Sequence, residues 1–350
     1  MAVAENFEIS IIKPDDWHLH LRDGEEMRSV VSHTARVFSR ALIMPNLVEP
    51  VNTCEKALAY RKRILNALPP ESKFNPLMAI YLGDQTSSDE IQRAAEMPEI
   101  LSAKLYPLGA TTRSEAGVSD IKKIFPLLEL MQKLNLPLCV HAEVTDKETD
   151  IFDRESVFIE RHLSPIVKEF PELSVVFEHV TTKEGVDFVL SSHGRVAGTI
   201  TAHHLLIDRN DIFSGGLRPH LYCLPVAKSR RDRDALLRAA ASGDSRFFAG
   251  TDSAPHHRAK KESGAAPAGI FSAPAAVELY AEVFDNENAM DKLESFLSLN
   301  GARFYGVPLN TEKINLIKRS KKIPDSYPFG SGEVVPFQAG QTIRWDISDL

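Results

Sequence analysis

The sequence contains few cysteines, and this limits the kinds of fold it can adopt. Only Cys54, Cys139 and Cys223 occur among its 350 residues, and no two of them are close in sequence. A small disulfide-stapled scaffold is therefore excluded, and such sparse thiols are typical of a reducing compartment. We predict a cytoplasmic protein.

Long apolar stretches and a surplus of basic residues are also lacking. The longest run without a charged side chain, Ser263 to Val277, has 15 residues and two prolines, fewer than the ~20 apolar residues of a membrane helix. The N-terminus shows no basic-then-apolar order, so no signal or transit peptide is expected. Lys and Arg number 41 against 48 Asp and Glu, a net charge of −7. We predict neither a membrane nor a nucleic acid as partner.

The chain does contain a regular alternation of short apolar runs and helical stretches. Hydrophobic residues make up 43% and charged residues 25%, as in ordinary globular proteins. Eight runs have strand-like composition: 16–21, 41–45, 76–82, 103–106, 138–141, 174–178, 196–201 and 247–250. Strands alternating with helices are typical of a parallel sheet.

Eight such units within about 250 residues match the size of a (β/α)8 TIM-type barrel. We predict an α/β fold with a single domain, 1–350, in which the barrel spans about 8–302 and a C-terminal extension about 303–350. A doubly wound parallel sheet is the alternative. Between the strands, Ser87 and Glu90 predict a capping box that opens a helix. Residues 119–134 predict another helix, which Pro126 either kinks or delays.

Two histidines on the first predicted strand are the first sign of chemistry. Side chains alternate along a strand, so His18 and His20 point to the same side and form half of a metal site. A hydrogen-bonded pair of core histidines is the alternative. His141, His179 and Asp252 follow later strands, and in a parallel barrel the carboxyl ends of the strands converge on one mouth. Four imidazoles and a carboxylate suit zinc, and five ligands favour two metals over one.

Lys104, at the end of the fourth run, allows two interpretations. A single lysine is most often a surface residue. Inside a barrel mouth beside cations, its charged form would be disfavoured, and the neutral amine is a nucleophile. Such an amine can take up carbon dioxide as a carbamate whose two oxygens could bridge two metals, a step that spacing alone does not establish.

Together these motifs resemble one known family. They are His18-Leu19-His20-Leu21-Arg22, Met44-Pro45-Asn46, Lys104-Leu105-Tyr106-Pro107, Val140-His141-Ala142-Glu143, Glu178-His179, Arg218 to Pro225, and Gly250 to His256. In this order, over about 9–336, they closely resemble the dihydroorotases, in particular the compact monofunctional type within the amidohydrolase superfamily.

The resemblance implies a cofactor and a reaction. It implies two zinc ions per subunit, one held by His18, His20, Lys104 and Asp252, the other by Lys104, His141 and His179, with Lys104 carboxylated to N6-carboxylysine. The family reversibly cyclises N-carbamoyl-L-aspartate to L-dihydroorotate, the third step of de novo pyrimidine synthesis. A hydroxide shared by the metals would be the nucleophile and Asp252 the general acid and base. The resemblance also implies a homodimer.

It further implies a set of contacts to the small-molecule substrate. Arg22 lies two residues beyond His20 and offers a planar fork to a carboxylate. The other matched positions are Asn46 and His256 for the carboxylate, the backbone of Leu224 and Ala268 for the ring, and Thr111 and Thr112 on a loop over the mouth. His257 is expected to point elsewhere. The chain departs from the family pattern at Arg113, at 265–267 and at His203, none of them in the metal-ligand set that the resemblance implies.

Three alternatives to this expectation remain, two of them enzymes and one a protein without activity. Another binuclear cyclic amidohydrolase, such as a hydantoinase, would share the metals, so the discriminating feature is the carboxylate pocket of Arg22, Asn46 and His256. A catalytically inactive barrel used as a scaffold would lack a ligand, and none is missing. A mononuclear zinc deaminase would not need Lys104.

Overall fold

A computed structural model describes residues 7–193 and 195–348 of the chain. Its strands are β1 (Glu8–Ile12), β2 (Asp15–Leu19), β3 (Arg40–Ile43), β4 (Asn75–Leu82), β5 (Ile100–Leu105), β6 (Leu138–Val140), β7 (Val175–Phe177), β8 (Val196–Ile200), β9 (Phe247–Ala249), β10 (Lys313–Ile317), β11 (Lys321–Lys322), β12 (Tyr327–Phe329), β13 (Gly332–Val334), β14 (Thr342–Ile343) and β15 (Asp346–Ser348).

The α-helices are α1 (Gly24–Val37), α2 (Cys54–Asn66), α3 (Ser88–Glu96), α4 (Phe125–Leu134), α5 (Arg154–Phe158), α6 (Ser164–Glu169), α7 (Lys183–Ser191), α8 (Ala202–Leu206), α9 (Arg230–Ala241), α10 (Arg258–Lys261), α11 (Ala276–Asn286), α12 (Met290–Glu294) and α13 (Asn300–Phe304). Three 3-10 turns, Ile121–Ile124, Pro219–Leu221 and Ala273–Ala275, and two π-turns, Ile159–Leu163 and Ser295–Leu299, complete the described helical segments.

Strands β2 to β9 form one parallel sheet in sequential order. The last strand returns to the first, because Asp252 N donates to His18 O (2.9 Å) and His20 N donates to Ser253 O (3.1 Å). The predicted (β/α)8 barrel is confirmed, and the doubly wound alternative is wrong, since an open sheet would keep two separate edges.

A bulge in β2 sets the side chains of the barrel interior. The register between β2 and β3 slips between Asp16 and Leu19, so strict alternation does not hold there. Leu19 packs in the layer between strands and helices, whereas Trp17 packs inside the barrel and stacks on Tyr305 at 4.7 Å between ring centroids. The bulge lets Trp17 fill the barrel floor while His18 faces the mouth.

The two predicted helix starts have different outcomes. Ser87 caps α3 by accepting from Glu90 N (3.2 Å), but the predicted reciprocal half of the box is replaced, because Glu90 Oε1 accepts from Cys54 N at the start of α2. Pro126 delays its helix: a 3-10 turn precedes α4, and proline occupies the first turn, where its missing N–H costs nothing.

The segments at the two ends of the described chain pack against each other. Strand β1 lies outside the barrel sheet and pairs with β10, which pairs with β15. The hairpin of β12 and β13 lies against α1, where the His33 and Tyr327 rings are 4.6 Å apart. In the described residues, every helix is too short or too polar to cross a membrane.

Candidate active site

The carboxyl ends of the barrel strands surround a small cavity. Eleven of the thirteen predicted site residues line it: His18, His20, Arg22, Asn46, Thr111, Thr112, His141, His179, Leu224, Asp252 and Ala268. Lys104 is fully buried and contacts Glu178, which in turn contacts His18, and His256 bonds to Arg22. The topology thus brings together side chains that are spread over 250 positions of the sequence.

His18, His20 and Asp252 form a compact triangle. His18 Nε2 and His20 Nε2 are 3.2 Å apart, and Asp252 Oδ1 lies 3.3 and 3.1 Å from them. Tetrahedral ligands bound 2.0–2.1 Å from a zinc ion are separated by about 3.3 Å. The three atoms therefore have the spacing of ligands to a single cation.

A second group adjoins this triangle. The His141 and His179 rings are 4.8 Å apart, and His179 lies 5.0 Å from His18. Lys104 Nζ is 4.9 Å from the centre of the Tyr106 ring and contacts the Glu178 carboxylate. The two groups share His18 as a neighbour, so a second cation would lie next to the first.

Burial fixes the protonation of these groups. It lowers the pKa of the four histidines of the site, His18, His20, His141 and His179. The pKa of His20 falls to about 4 and that of Lys104 to about 7. Burial alone would raise the pKa of Asp252, but hydrogen bonds from His18 and His20 outweigh it and hold that pKa well below its usual range. Neutral imidazoles, an ionised carboxylate and a readily deprotonated amine are the forms that bind metals or carbon dioxide.

Several of these polar atoms lack a well-formed hydrogen bond within the described protein. His179 Nδ1 has no partner there, and His18 Nδ1, Lys104 Nζ and the two Glu178 oxygens contact only one another. Buried polar groups are normally hydrogen-bonded because an unsatisfied one costs about 1–3 kcal/mol. Such a concentration of unsatisfied atoms indicates a site built to be filled.

Sequence reasoning assigned no role to two acidic residues that orient the histidines. Glu143 Oε2 lies 2.8 Å from His141 Nε2, and Glu178 Oε1 lies 3.0 Å from His18 Nδ1. A carboxylate on the far ring nitrogen fixes the tautomer of a ligating histidine. Glu143 follows His141 by two positions, a spacing that could have signalled the pair. The contact of Glu178 with His18 joins distant strands and has no such signal.

Arg22 is a buried cation at the edge of the cavity. Its Nε donates to Pro255 O and its Nη2 to His256 Nε2, both at 2.9 Å. Among the described residues no carboxylate forms an ion pair with it. Burial lowers its pKa to about 10, which leaves it charged at neutral pH. A buried, unpaired guanidinium provides strong affinity for an anion.

The predicted loop of Thr111 and Thr112 reaches across the mouth. Asn46 Nδ2 donates to Thr112 O (3.0 Å), and Thr112 Oγ1 donates to Ala268 O (3.2 Å). Thr111 N donates to Ser114 Oγ (2.9 Å) within the loop. In this arrangement the loop covers the cavity and links two predicted substrate contacts. His257 points away, as expected, with Nε2 2.9 Å from Glu26 Oε1.

Three predicted site residues adopt a backbone conformation that side chains disfavour. Arg22, His179 and Asp252 have φ of 65°, 42° and 45°, and each follows a barrel strand. Non-glycine residues rarely occupy this left-handed region unless the surroundings enforce it, and such residues cluster at functional sites. The turn aims each side chain into the mouth at the end of its strand.

Comparison with known proteins agrees with this geometry. The model of the amidohydrolase family matches residues 10–323. A curated dihydroorotase of Aromatoleum aromaticum is 55% identical over 340 residues, 97% of this chain and 99% of that protein. The crystal structure of dihydroorotase from Campylobacter jejuni superposes with a TM-score of 0.91 at 35% identity, covering 99% of this chain and 98% of that one.

The hydantoinase alternative is more distant. L-hydantoinase from Arthrobacter aurescens covers 97% of this chain and 82% of its own, with a TM-score of 0.81 but only 16% identity, so it shares the fold alone. From the family match, the identity and the coverage together, the chain belongs to the amidohydrolase family and, within it, to the dihydroorotases.

Proposed function

We propose that the protein is a metal-dependent hydrolase of cyclic amides that interconverts N-carbamoyl-L-aspartate and L-dihydroorotate, the third step of de novo pyrimidine synthesis. The observation that carries this proposal is the buried, unpaired Arg22 at the rim of a cavity whose floor holds a triangle of ligand atoms. The triangle supports metal-assisted hydrolysis, and the guanidinium supports a substrate with a carboxylate. Membership of the dihydroorotases agrees with both.

The residues present fit a pair of zinc ions. The triangle of His18, His20 and Asp252 has the spacing of ligands to one cation, and His141 and His179 would hold the other. When bound, the metals would lower the pKa of a water molecule and polarise the carbonyl to be attacked. His179 Nδ1, buried and without a hydrogen-bond partner among the described residues, supports a site that is completed by an added group.

Lys104 would join the two metal positions as N6-carboxylysine. In this step the neutral amine attacks carbon dioxide, a C–N bond forms, and one N–H proton leaves to solvent. A pKa near 7 makes the neutral amine available at physiological pH. The resulting carbamate would offer two oxygen ligands to the metals that the histidines hold.

Asp252 would move the proton that the reaction requires. Its carboxylate lies at the cavity floor, ionised and next to His18 and His20. During ring opening it would accept a proton from the attacking water and deliver it to the leaving ring nitrogen, and ring closure reverses both transfers. Asp252 is therefore proposed as both ligand and general acid and base.

The remaining residues would bind and orient the substrate. Arg22, with Asn46 and His256 beside it, would take the carboxylate, and the backbone of Leu224 and Ala268 would contact the ring. Thr111 and Thr112 would close over the mouth and exclude water, since their loop already bonds to Asn46 and Ala268. Orientation of this kind supplies much of the rate of a ring closure.

The proposal is tested with one purified preparation of the full chain. Metal content is measured beside the rate of ring closure of carbamoyl aspartate, with a hydantoin as the alternative substrate. We expect about two metals per chain and activity on carbamoyl aspartate but not on the hydantoin. A fully metallated protein that is inactive on both carbamoyl aspartate and dihydroorotate would contradict the substrate, and activity on the hydantoin alone would favour the alternative.

Lys104→Ala tests the bridge. The variant should lose most of its activity and metal, and short carboxylates such as acetate should restore part of both, because they can replace the carbamate oxygens. Lys228→Ala, which removes another buried lysine whose Nζ bonds to Val226 O, is the control and should keep its metal. Full activity of Lys104→Ala without added carboxylate would refute the bridging role.

We also infer a cytoplasmic homodimer. All three cysteines are free and buried, in keeping with a reducing compartment. Light scattering of the purified chain measures the oligomeric state, and a monomer at micromolar concentration would contradict the dimer.

A further inference from the structure

A second group of ligand-type side chains lies outside the cavity. His203 and His204 belong to α8, and Cys223 follows the 3-10 turn Pro219–Leu221. All three are buried, and one potential ligand atom from each lies within 4.8 Å of the other two. None of them lines the mouth of the barrel. The proposed reaction uses none of these side chains.

His203 is the anomaly in this group. Its ring is fully buried, yet neither Nδ1 nor Nε2 has a hydrogen-bond partner among the described residues. A neutral imidazole always carries one N–H donor and one acceptor, so packing such a ring with neither paired is unfavourable. The ring lies 4.5 Å from that of His204 and 6.1 Å from that of Phe337. A ligand at this position would remove the penalty.

His204 is held in an orientation that presents Nε2 to the cysteine. Its Nδ1 lies 2.9 Å from Thr201 Oγ1, and its Nε2 lies 3.4 Å from Cys223 Sγ and 3.0 Å from Pro225 O. In the metal-free protein Nε2–H donates to Pro225 O and Nδ1 accepts from the Thr201 hydroxyl. Moving the ring proton to Nδ1, where the Thr201 oxygen can accept it, frees the Nε2 lone pair for a cation beside the sulfur. An oxygen acceptor behind the far ring nitrogen is the usual support of a ligating histidine.

Burial keeps the free cluster uncharged. It lowers the pKa of His203 to about 4 and that of His204 well below its ordinary value, and it raises the pKa of the Cys223 thiol well above its ordinary value. The imidazoles are therefore available as neutral ligands. The thiol loses its proton to solvent only when a strong positive charge, such as a metal cation, lies beside it. Two imidazoles and a thiolate are the donor set that zinc and cobalt(II) prefer.

We propose that His203, His204 and Cys223 bind one zinc-like divalent cation, separate from the proposed catalytic pair. Binding breaks the S–H bond, releases one proton to solvent and forms a metal–thiolate bond, with no change of oxidation state. The cation would connect α8, directly after β8, to the segment that carries Leu224 into the cavity. Its role is structural: it would hold that segment against the barrel.

Cobalt(II) tests the site by a signal that the catalytic centre cannot produce. The donors proposed for that centre are nitrogen and oxygen, whereas thiolate-bound cobalt(II) has a charge-transfer band in the near ultraviolet. Metal-depleted full-length protein is titrated with cobalt(II) chloride and its absorption recorded. We expect this band to appear and to saturate at about one equivalent of thiolate-bound metal per chain.

Variants assign the band to the cluster. Cys223→Ser should abolish it, and His203→Gln, which keeps the thiol, should weaken cobalt binding by about tenfold or more. Cys54→Ser removes a different buried thiol, which contacts Glu90 O, and should leave the band unchanged. No band in the wild type, or a band that survives Cys223→Ser in a folded variant, would overturn the proposal. Because the readout is spectroscopic, it stands apart from any failure of the proposed activity.

Discussion

Charged side chains inside this protein are used to hold backbone as well as to bind ligands. Lys261 is 3% exposed, and its Nζ donates to three carbonyl oxygens, those of Tyr222 (2.8 Å), Pro267 (3.0 Å) and Gly269 (2.9 Å). These carbonyls flank Leu224 and Ala268, whose backbone is proposed to contact the substrate ring. Burial lowers the pKa of Lys261 to about 8, so it is still mostly charged at pH 7. We infer that Lys261 is a positioning residue.

Lys261→Met should therefore raise KM more than it lowers kcat. Methionine preserves length and apolar packing but leaves the carbonyls of Pro267 and Gly269 without a donor, whereas Tyr222 O keeps the Gly269 N–H. Their loss of a partner costs about 2 kcal/mol or more of unfolding free energy. Mobile backbone at Ala268 should weaken substrate binding by about tenfold, equivalent to about 1.4 kcal/mol. Steady-state kinetics with carbamoyl aspartate and urea unfolding measure the two effects.

The neighbouring residue provides a matched control for this change. Lys260 is exposed, so Lys260→Met removes the same charge without touching the three carbonyls. It should leave KM and stability near wild-type values. Equal kinetic effects of the two variants would show that charge near the mouth, and not the backbone contacts, is responsible.

At the scale of elements, α1 is joined to the C-terminal hairpin through a histidine. His33 packs edge-on against Phe271 and Tyr327, with ring centroids 5.7 and 4.6 Å away. Burial first, and then the charge of Arg36, lower its pKa from 6.5 to about 4. The folded protein therefore resists protonation of His33, whereas the unfolded chain accepts a proton near pH 6.5. This contribution to stability is complete above pH 6.5 and is lost as the pH falls toward 4.

Replacing His33 with a residue that does not titrate should flatten this dependence. Between pH 7 and pH 4 the wild type should lose about 2 kcal/mol more unfolding free energy than His33→Gln, after allowance for partial solvent screening. The buried active-site histidines are present in both proteins, so their contribution cancels in the difference.

Urea unfolding at pH 4, 5.5 and 7 measures the effect of this substitution. His193→Gln removes an exposed imidazole and controls for the loss of a histidine as such. Parallel pH profiles for wild type and His33→Gln would rule out this link between α1 and the hairpin.

At the scale of the whole molecule, the proposed ligands lie on both sides of the seam that closes the barrel. His18 and His20 belong to the first barrel strand and the turn after it, and Asp252 follows the last, where backbone bonds already join the two. A cation held by all three would cross-link residues more than 230 positions apart in the sequence. Metal binding should thus stabilise the closed barrel as well as support catalysis.

Removal of metal by a chelator should lower the thermal unfolding midpoint by about 5 °C or more. Ligands that bind only the folded state stabilise it by about 4 kcal/mol when present at a thousand times their Kd. Differential scanning calorimetry before and after dialysis against a chelator measures the change, and added zinc should reverse it whereas calcium should not. A midpoint unchanged after verified loss of metal would refute a role in closure.

Much of the fold and of the candidate site could be predicted from local pattern. The alternation of strands and helices, and the histidines at strand ends, depend only on neighbours in sequence and on the known convergence of barrel strands. Three sets of contacts could not be predicted in this way. They are the contact of Glu178 with Lys104 and His18, the bonds of Lys261 to three carbonyls, and the bond from Cys54 N to the Glu90 carboxylate. Each joins segments whose separation in space depends on the complete packing.

By itself, the sequence determined a metal-competent barrel, because periodicity selects strands and helices and a parallel barrel collects its strand ends. Only the tertiary structure decided how those residues meet. The seam between β2 and β9 brings His18 to Asp252, the bulge in β2 separates Trp17 from His18, and left-handed turns aim Arg22 into the cavity. Burial, which depends on every surrounding element, then shifted the pKa of the histidines and Lys104 toward their neutral forms.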